Sequence, residues 1–312
     1  MRDLRVRFRT GGRTVFAVNG VSFDLERGQT LGVVGESGSG KSAMLRAIAG
    51  LLPASAEMLG SVKFAGYPLK AEEILGAPDA SVATVFQDPA THLNPVQRIG
   101  DALCETLEVR RESTGSSAKE EAVALLERVE LPRARERMTS YPHQLSGGMR
   151  QRVMIALALA CEPVMLLADE PTTALDVTTQ RKVLMLLKRL QRETGMAMVF
   201  VSHDLAVVGD VCDSVAVAYA GHIVERGPAA ELLVSPAHPY SEGLIRSIPT
   251  LDPECKVSAI GGAPPDMRIE PSGCPFAPRC PRCTPDCLDF AVPANDETEF
   301  AACLHPLIRV AT

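Results

Sequence analysis

The segment of this chain most plainly built for chemistry is Gly35-Glu36-Ser37-Gly38-Ser39-Gly40-Lys41-Ser42. It follows a short apolar run, 30–34, and precedes a stretch of good helix formers, 43–52. Glycine, four residues, then Gly-Lys-Ser is the spacing a nucleoside triphosphate requires of a loop. Glycines let backbone N–H groups converge on phosphate oxygens, and the helix that follows offers its positive end to the same anion. Lys41 is placed to neutralise the β- and γ-phosphates, and the Ser42 hydroxyl to ligate Mg²⁺. A merely flexible Gly/Ser loop would need neither the lysine nor this position between strand and helix.

Two further junctions carry matching chemistry. The apolar run 164–168 ends in Asp169-Glu170. A carboxylate leaving a buried strand beside a phosphate loop suits Mg²⁺, and Glu170 is placed to accept a proton from an attacking water. Taken alone, an Asp-Glu pair there equally suits a helix start. The run 196–201 ends in Ser202-His203-Asp204, where His203 would donate to a γ-phosphate oxygen or orient the water.

Leu145-Ser146-Gly147-Gly148-Met149 offers a second anion-binding helix start. Ser146 is an N-cap residue type, the two glycines leave N–H groups bare, and a helix is expected from Met149 through Cys161. One triphosphate hardly needs two such sites from one chain, whereas a pair of chains uses both.

The cysteines form a separate pattern. Cys274-x5-Cys280-x2-Cys283-x3-Cys287-x15-Cys303, with His305 close by, places five thiols within 30 residues. A 4Fe–4S cluster takes four thiolates, and a structural zinc takes four Cys or His ligands. Unrelated reduced thiols are the competing reading. Cys104, Cys161 and Cys212 lie in apolar surroundings and are expected in the core.

The elements that hold these residues are legible as unbroken apolar runs at 30–34, 81–86, 164–168 and 196–201. Runs without alternation suit strands buried on both faces of a parallel sheet, whose carboxyl ends are where open α/β sheets bind ligands. The 312-residue chain is 46% hydrophobic and 22% charged, which excludes a mainly disordered protein. Its net charge of −6 argues against a general nucleic-acid binder. The longest apolar run, 153–161, falls far short of the ~20 residues of a membrane span. The N-terminal MRDLRVRFRT has no apolar core of a secretory signal, so the cytosol is expected, with the nine cysteines as thiols or ligands. Residues 241–312 hold six of those nine cysteines and 11 of the 23 prolines, which puts a boundary near 240 between an α/β domain and a loop-rich module.

Together these motifs resemble an ATP-binding-cassette (ABC) subunit of a membrane transporter. Gln87 in Val-Phe-Gln-Asp-Pro, Leu145-Ser-Gly-Gly-Met149, Asp169-Glu170, Ala174-Leu-Asp176 and His203 stand in that family's order and spacing. The resemblance covers 1–240. It implies an α/β P-loop cassette with an inserted helical subdomain at about 88–161, followed by a small Cys/Pro-rich module at 241–312. It implies a head-to-tail nucleotide-binding dimer, with ATP between one subunit's phosphate loop and the other's Leu145, Ser146, Gly147, Gly148 and Met149. Gln87 would reach Mg²⁺ together with Ser42 and Asp169, Asp176 would contact the partner, and Phe16, with Phe8 as rival, would stack on adenine. The middle of the subdomain, 100–137, is charged with a helical period, and 133–137 reads as a solvated face.

Leu93-Asn-Pro-Val-Gln-Arg-Ile-Gly100 and His238-Pro-Tyr-Ser-Glu-Gly-Leu-Ile-Arg-Ser-Ile-Pro249 are similar to stretches of the dipeptide, oligopeptide and nickel importer ATPases. So is Gly273-Cys-Pro-Phe-Ala-Pro-Arg-Cys280 with Cys287 and Cys303, which implies Cys274, Cys280, Cys287 and Cys303 as ligands of a 4Fe–4S cluster or zinc and leaves Cys283 extra. The implied partners are two transmembrane permease subunits, a second ATP-binding subunit as a heterodimer, and an extracytoplasmic solute-binding protein. The implied place is the cytoplasmic face of the inner membrane, as a peripheral protein. Competing readings are an ATPase of another transporter, a soluble cassette protein, a regulatory module that holds ATP without hydrolysing it, and an iron–sulfur redox protein.

Overall fold

A computed structural model describes residues 1–64, 67–68, 81–111, 113–248, 258–295 and 297–308, with backbone alone at 67–68. In chain order the strands are β1 (Arg2–Thr10), β2 (Arg13–Val21), β3 (Thr30–Val34), β4 (Ala56–Ser61), β5 (Lys63–Phe64) and β6 (Tyr67–Pro68). They continue as β7 (Val82–Val85), β8 (Met165–Asp169), β9 (Ala197–Val201), β10 (Ser214–Tyr219), β11 (His222–Pro228) and β12 (Phe300–Ala301). The chain divides into two compact units, one of Met1–Glu26, Thr30–Glu73 and Phe200–Thr312, the other of Arg27–Gln29 and Ile74–Val199.

In the first unit β2, β1 and β4 form an antiparallel sheet in that order, and β5 pairs with β6. Strands β12, β11, β10 and β3 lie side by side. β10 runs parallel to β3, with Ser214 opposite Leu31 and Val217 opposite Val34. Every residue of β3 is buried, as its unbroken apolar sequence requires of a strand covered on both faces. β12 adds Phe300 and Ala301 to the edge of β11, so residues from the far end of the chain complete this sheet. The shift in composition near 240 therefore falls inside a unit. The helix expected over 43–52 is Lys41–Ile48 and is closed by Gly50 in the left-handed conformation, with Leu51 N–H bonding back to the Arg46 carbonyl.

In the second unit β7 is parallel to β8, and the start of β9 reaches the same segment through Ala197 N–H to the Val164 carbonyl, its last two residues belonging to the first unit. Helices Ile99–Arg111, Gly115–Arg128 and Gly147–Ala160 pack on one another through Leu103, Leu107, Ala122, Leu126 and Ile155, all fully buried. The 133–137 segment is solvated as expected, with Arg135 forking onto Glu120, although Ala134 turns inward. Of the three cysteines expected in the core only Cys212 is buried. Cys104 flanks the apolar stripe of its helix, and Cys161 lies one residue past the end of its own, so both are half-buried. No helix among the described residues is long and apolar enough to cross a membrane.

Candidate nucleotide site and cysteine pocket

The phosphate loop leaves β3 directly and ends in the helix Lys41–Ile48. Two of its glycines are demanded by close backbone approach. A Cβ on Gly35 would meet the Ala218 carbonyl oxygen at 2.1 Å, and one on Gly40 the Ala17 carbonyl oxygen at 2.2 Å. Both have positive φ, 149° and 99°, which L side chains rarely adopt. Lys41 is buried, and its Nζ donates to the carbonyls of Gly35 and Glu36 at 2.8 Å each and to Ser39 Oγ at 3.3 Å. The ammonium is thus folded back on its own loop, while Ser37, Gly38 and Ser42 are exposed. His203 is exposed just beyond β9, beside Asp204, which caps the helix Leu205–Val211. Phe16 is half-buried on β2, with the Arg7 guanidinium 5.2 Å from its ring centre.

In the second unit Asp169 ends β8 and Glu170 follows with φ 45°. A left-handed conformation at a residue with a side chain costs about 1–2 kcal/mol, and such strain gathers where a side chain must point one way. Gln87 Nε2 donates to the Glu170 carboxylate at 3.1 Å, and the Thr173 hydroxyl donates to it at 3.0 Å. Thr173 was not singled out from the sequence. Ser146 caps the helix Gly147–Ala160, its Oγ accepting from Met149 N–H at 3.4 Å. The helix begins two residues before the expected Met149. A Cβ on Gly148 would meet Thr179 Cγ2 at 2.4 Å, so this helix start is pressed against the helix Val177–Thr194. Asp176 caps that second helix, accepting from Thr179 N–H at 3.0 Å, and the Thr179 hydroxyl bond holds its carboxyl below the usual range.

The phosphate loop, Phe16 and His203 belong to the first unit, and Gln87, Asp169, Glu170, residues 145–149 and Asp176 to the second. The expected Mg²⁺ ligands Ser42, Gln87 and Asp169 are drawn from both.

The cysteine pattern converges within the first unit. Cys274, Cys280, Cys287, Cys303 and His305 line one pocket, walled by Phe276, Phe290 and His238. Cys283 is exposed and does not line it. Burial pushes the Cys274 and Cys303 thiols up, and the neighbouring sulfurs push them further. Burial also pulls the His238 imidazole down to about 4. Among the described residues, however, the donor atoms gathered within 4.8 Å are those of Asp286, Cys287 and His305, not the four sulfurs. Thr284 joins this group, its Oγ1 2.7 Å from His305 Nε2 and 3.3 Å from Cys287 Sγ. The pocket thus has the thiols for a cluster or zinc, without the sulfurs drawn to one centre. Asp286 and Thr284 carried no signal in the spacing.

Arg279 and Tyr240 lie within the two stretches that resemble the importer ATPases, 273–280 and 238–249, but the sequence assigns neither a role. Arg279 forks onto the Glu36 carboxylate, and the Tyr240 hydroxyl accepts from Glu36 N–H at 2.9 Å. Nothing in local sequence ties residue 36 to partners so distant in the chain.

Residues 18–173 match the family model described as ABC transporter, and residues 224–287 match the model described as Oligopeptide/dipeptide transporter, C-terminal region. The chain belongs to the ABC transporter family, and its fold is the α/β P-loop fold of the ATP-binding cassettes. It is 46% identical to the oligopeptide transport ATP-binding protein OppD of Escherichia coli (strain K12), over 98% of this chain and 93% of that protein. It is 47% identical to the dipeptide transport ATP-binding protein DppD of Bacillus subtilis (strain 168), over 90% of this chain and 86% of that protein. Among solved structures it is similar to the dimeric post-hydrolysis ATP-binding cassette MJ0796 bound to ADP and Pi, with TM-score 0.63 and 28% identity over 73% of this chain and 97% of that one. It is similar also to cbiO1 from Clostridium perfringens, part of an ABC transporter complex, with TM-score 0.60 and 26% identity over 75% and 91%.

Proposed function

We propose that this chain is the ATP-hydrolysing peripheral subunit of an importer of di- or oligopeptides. It would act at the cytoplasmic face of the membrane with two permease subunits, a second ATP-binding subunit and a solute-binding protein. The observation that carries this reading is similarity along nearly the whole chain to oligopeptide and dipeptide transport ATP-binding proteins, in a chain with the complete set of nucleotide motifs. The peptide relatives favour peptides over nickel.

In this reading the loop of Gly35, Glu36, Ser37, Gly38, Ser39 and Gly40 surrounds the phosphates and offers them backbone N–H groups, other than that of Glu36, which Tyr240 holds, and Lys41 turns outward to neutralise them. Ser42, Gln87 and Asp169 would hold Mg²⁺, which when bound spreads charge off the β- and γ-oxygens. Glu170 accepts the proton of the attacking water, and His203 donates to a γ-phosphate oxygen. Phe16 stacks on adenine. Leu145, Ser146, Gly147, Gly148 and Met149 close on the ATP held by the partner subunit, with Asp176 at the contact. The Cys/Pro-rich segment 241–312 forms the small C-terminal module. Cys274, Cys280, Cys287 and Cys303 would bind a 4Fe–4S cluster or, with His305 in reach, zinc, and ligation would stabilise a region with few core residues.

Peptide uptake tests this reading. Cells lacking the gene should lose uptake of labelled di- or oligopeptides, and wild-type protein, but not Glu170→Gln, should restore it. Failure of the wild type to bind MgATP or restore uptake would remove the proposal. For the cysteines, neither a visible charge-transfer band nor stoichiometric metal in protein purified with and without oxygen would remove the ligand assignment.

A further inference from the structure

Glu36 presents a difficulty for a nucleotide site. It is the second residue of a loop shaped for a multiply charged anion, so its own carboxylate opposes the ligand. Arg279 answers that charge. Its Nη1–H donates to Glu36 Oε2 at 2.6 Å and its Nη2–H to Oε1 at 2.9 Å, the bidentate arrangement that makes an arginine–carboxylate pair both strong and directional. The remaining guanidinium donors are engaged as well. Nε–H reaches the Gly261 carbonyl at 2.8 Å, and Nη1–H also reaches the Tyr219 hydroxyl at 3.2 Å. The Arg279 side chain is 4% exposed, so solvent screens this pair far less than a surface one. The backbone of Glu36 is held independently, its N–H donating to Tyr240, whose ring is completely buried against Tyr219 and Phe276.

We infer that Arg279 is a positioning residue of the nucleotide site, cancelling the charge of Glu36 and fixing the first turn of the phosphate loop in the form that accepts MgATP. It lies in the short turn Ala277–Arg279, immediately before Cys280, so the C-terminal region sets the affinity of a loop 243 residues earlier in the chain. The inference rests on the ATP-binding reading above and deepens it.

Titration of the full-length chain with a fluorescent ATP analogue and Mg²⁺ tests it. Arg279→Met should raise the Kd about tenfold, within the range of coupling energies between contacting charged groups. Arg279→Lys, which keeps the charge but not the fork, should show a smaller loss. Adding Glu36→Gln to Arg279→Met should recover most of the lost affinity, because the uncompensated carboxylate is gone. An arginine that merely filled space would give no such rescue. Unchanged affinity in Arg279→Met, or a double variant as weak as the single one, would overturn the inference while leaving the ATPase reading intact. If Arg279→Met does not fold, wild-type affinity in Arg279→Lys, which loses the fork, would overturn it equally. Absence of MgATP binding by the wild type would remove both readings.

Discussion

Gln87 and Glu170 meet through one hydrogen bond, the Gln87 amide donating to the Glu170 carboxylate at 3.1 Å. Thr173 donates to the same oxygen, and the left-handed backbone of Glu170 adds to the aim. A general base must be held in one direction before its proton affinity matters. Glu170→Gln should therefore lower kcat for ATP about 10²–10⁴-fold and leave nucleotide binding in place. Phosphate release and nucleotide titration on the same preparation check this, and normal turnover would rule out Glu170 as the base.

Lys41 should affect binding itself. Its ammonium is held by three acceptors of its own loop, and in the proposed reading nucleotide would exchange those bonds for charge-assisted ones to phosphate. Lys41→Ala should raise the Kd for MgATP about 10–100-fold, the equivalent of one hydrogen bond to a charged group. Equal affinity by titration would count against the assignment.

Ser146 has a visible local role and a proposed distant one. As a cap with a long 3.4 Å bond it should contribute about 0.5–1 kcal/mol, measured by urea unfolding of Ser146→Ala. If it also closes on a partner's nucleotide, ATPase activity of the assembled transporter should fall at least about tenfold, beyond what lost stability explains. A variant that loses the stability and keeps the activity would leave Ser146 a simple cap.

His222 supplies a pH signature. It is buried on β11, and burial, with Arg5 adding to it, pulls its imidazole down to about 4 from the ordinary 6.5. Between those values the unfolded chain binds the proton and the folded chain does not, so stability falls as pH drops through this window and is complete above it. Between pH 7 and pH 5, His222→Gln should lose about 2 kcal/mol less stability than wild type, measured by urea unfolding. Equal losses would show that His222 does not titrate on unfolding in this range.

Much of the architecture is legible in the sequence. The runs 30–34, 164–168 and 196–201 appear as Thr30–Val34, Met165–Asp169 and Ala197–Val201, because four or five consecutive apolar residues have no way to avoid burial on both faces. Ser146 and Asp176 both occur as helix caps, for short polar side chains are what an exposed helix start needs. The sequence, with two glycines read as leaving bare N–H groups, places the helix after Ser146 from Met149, yet it begins at Gly147, where only a glycine at 148 lets Thr179 come so close.

What the sequence by itself determined is the chemistry carried by short range: the phosphate loop, the carboxylates ending a buried strand, the capped helix starts and the density of thiols. Each rests on neighbours a few residues apart, whose types and spacing state the local chemistry even where a helix start shifts by a fraction of a turn, as at Gly147. Only the tertiary structure decided which distant groups meet. Arg279 reaches Glu36 across 243 positions, Asp286 joins Cys287 and His305, and His222 loses its water. Spacing along the chain says nothing about such pairs. Their energies come from burial and charge neutralisation, which arise only once the sheet and the C-terminal region have packed together.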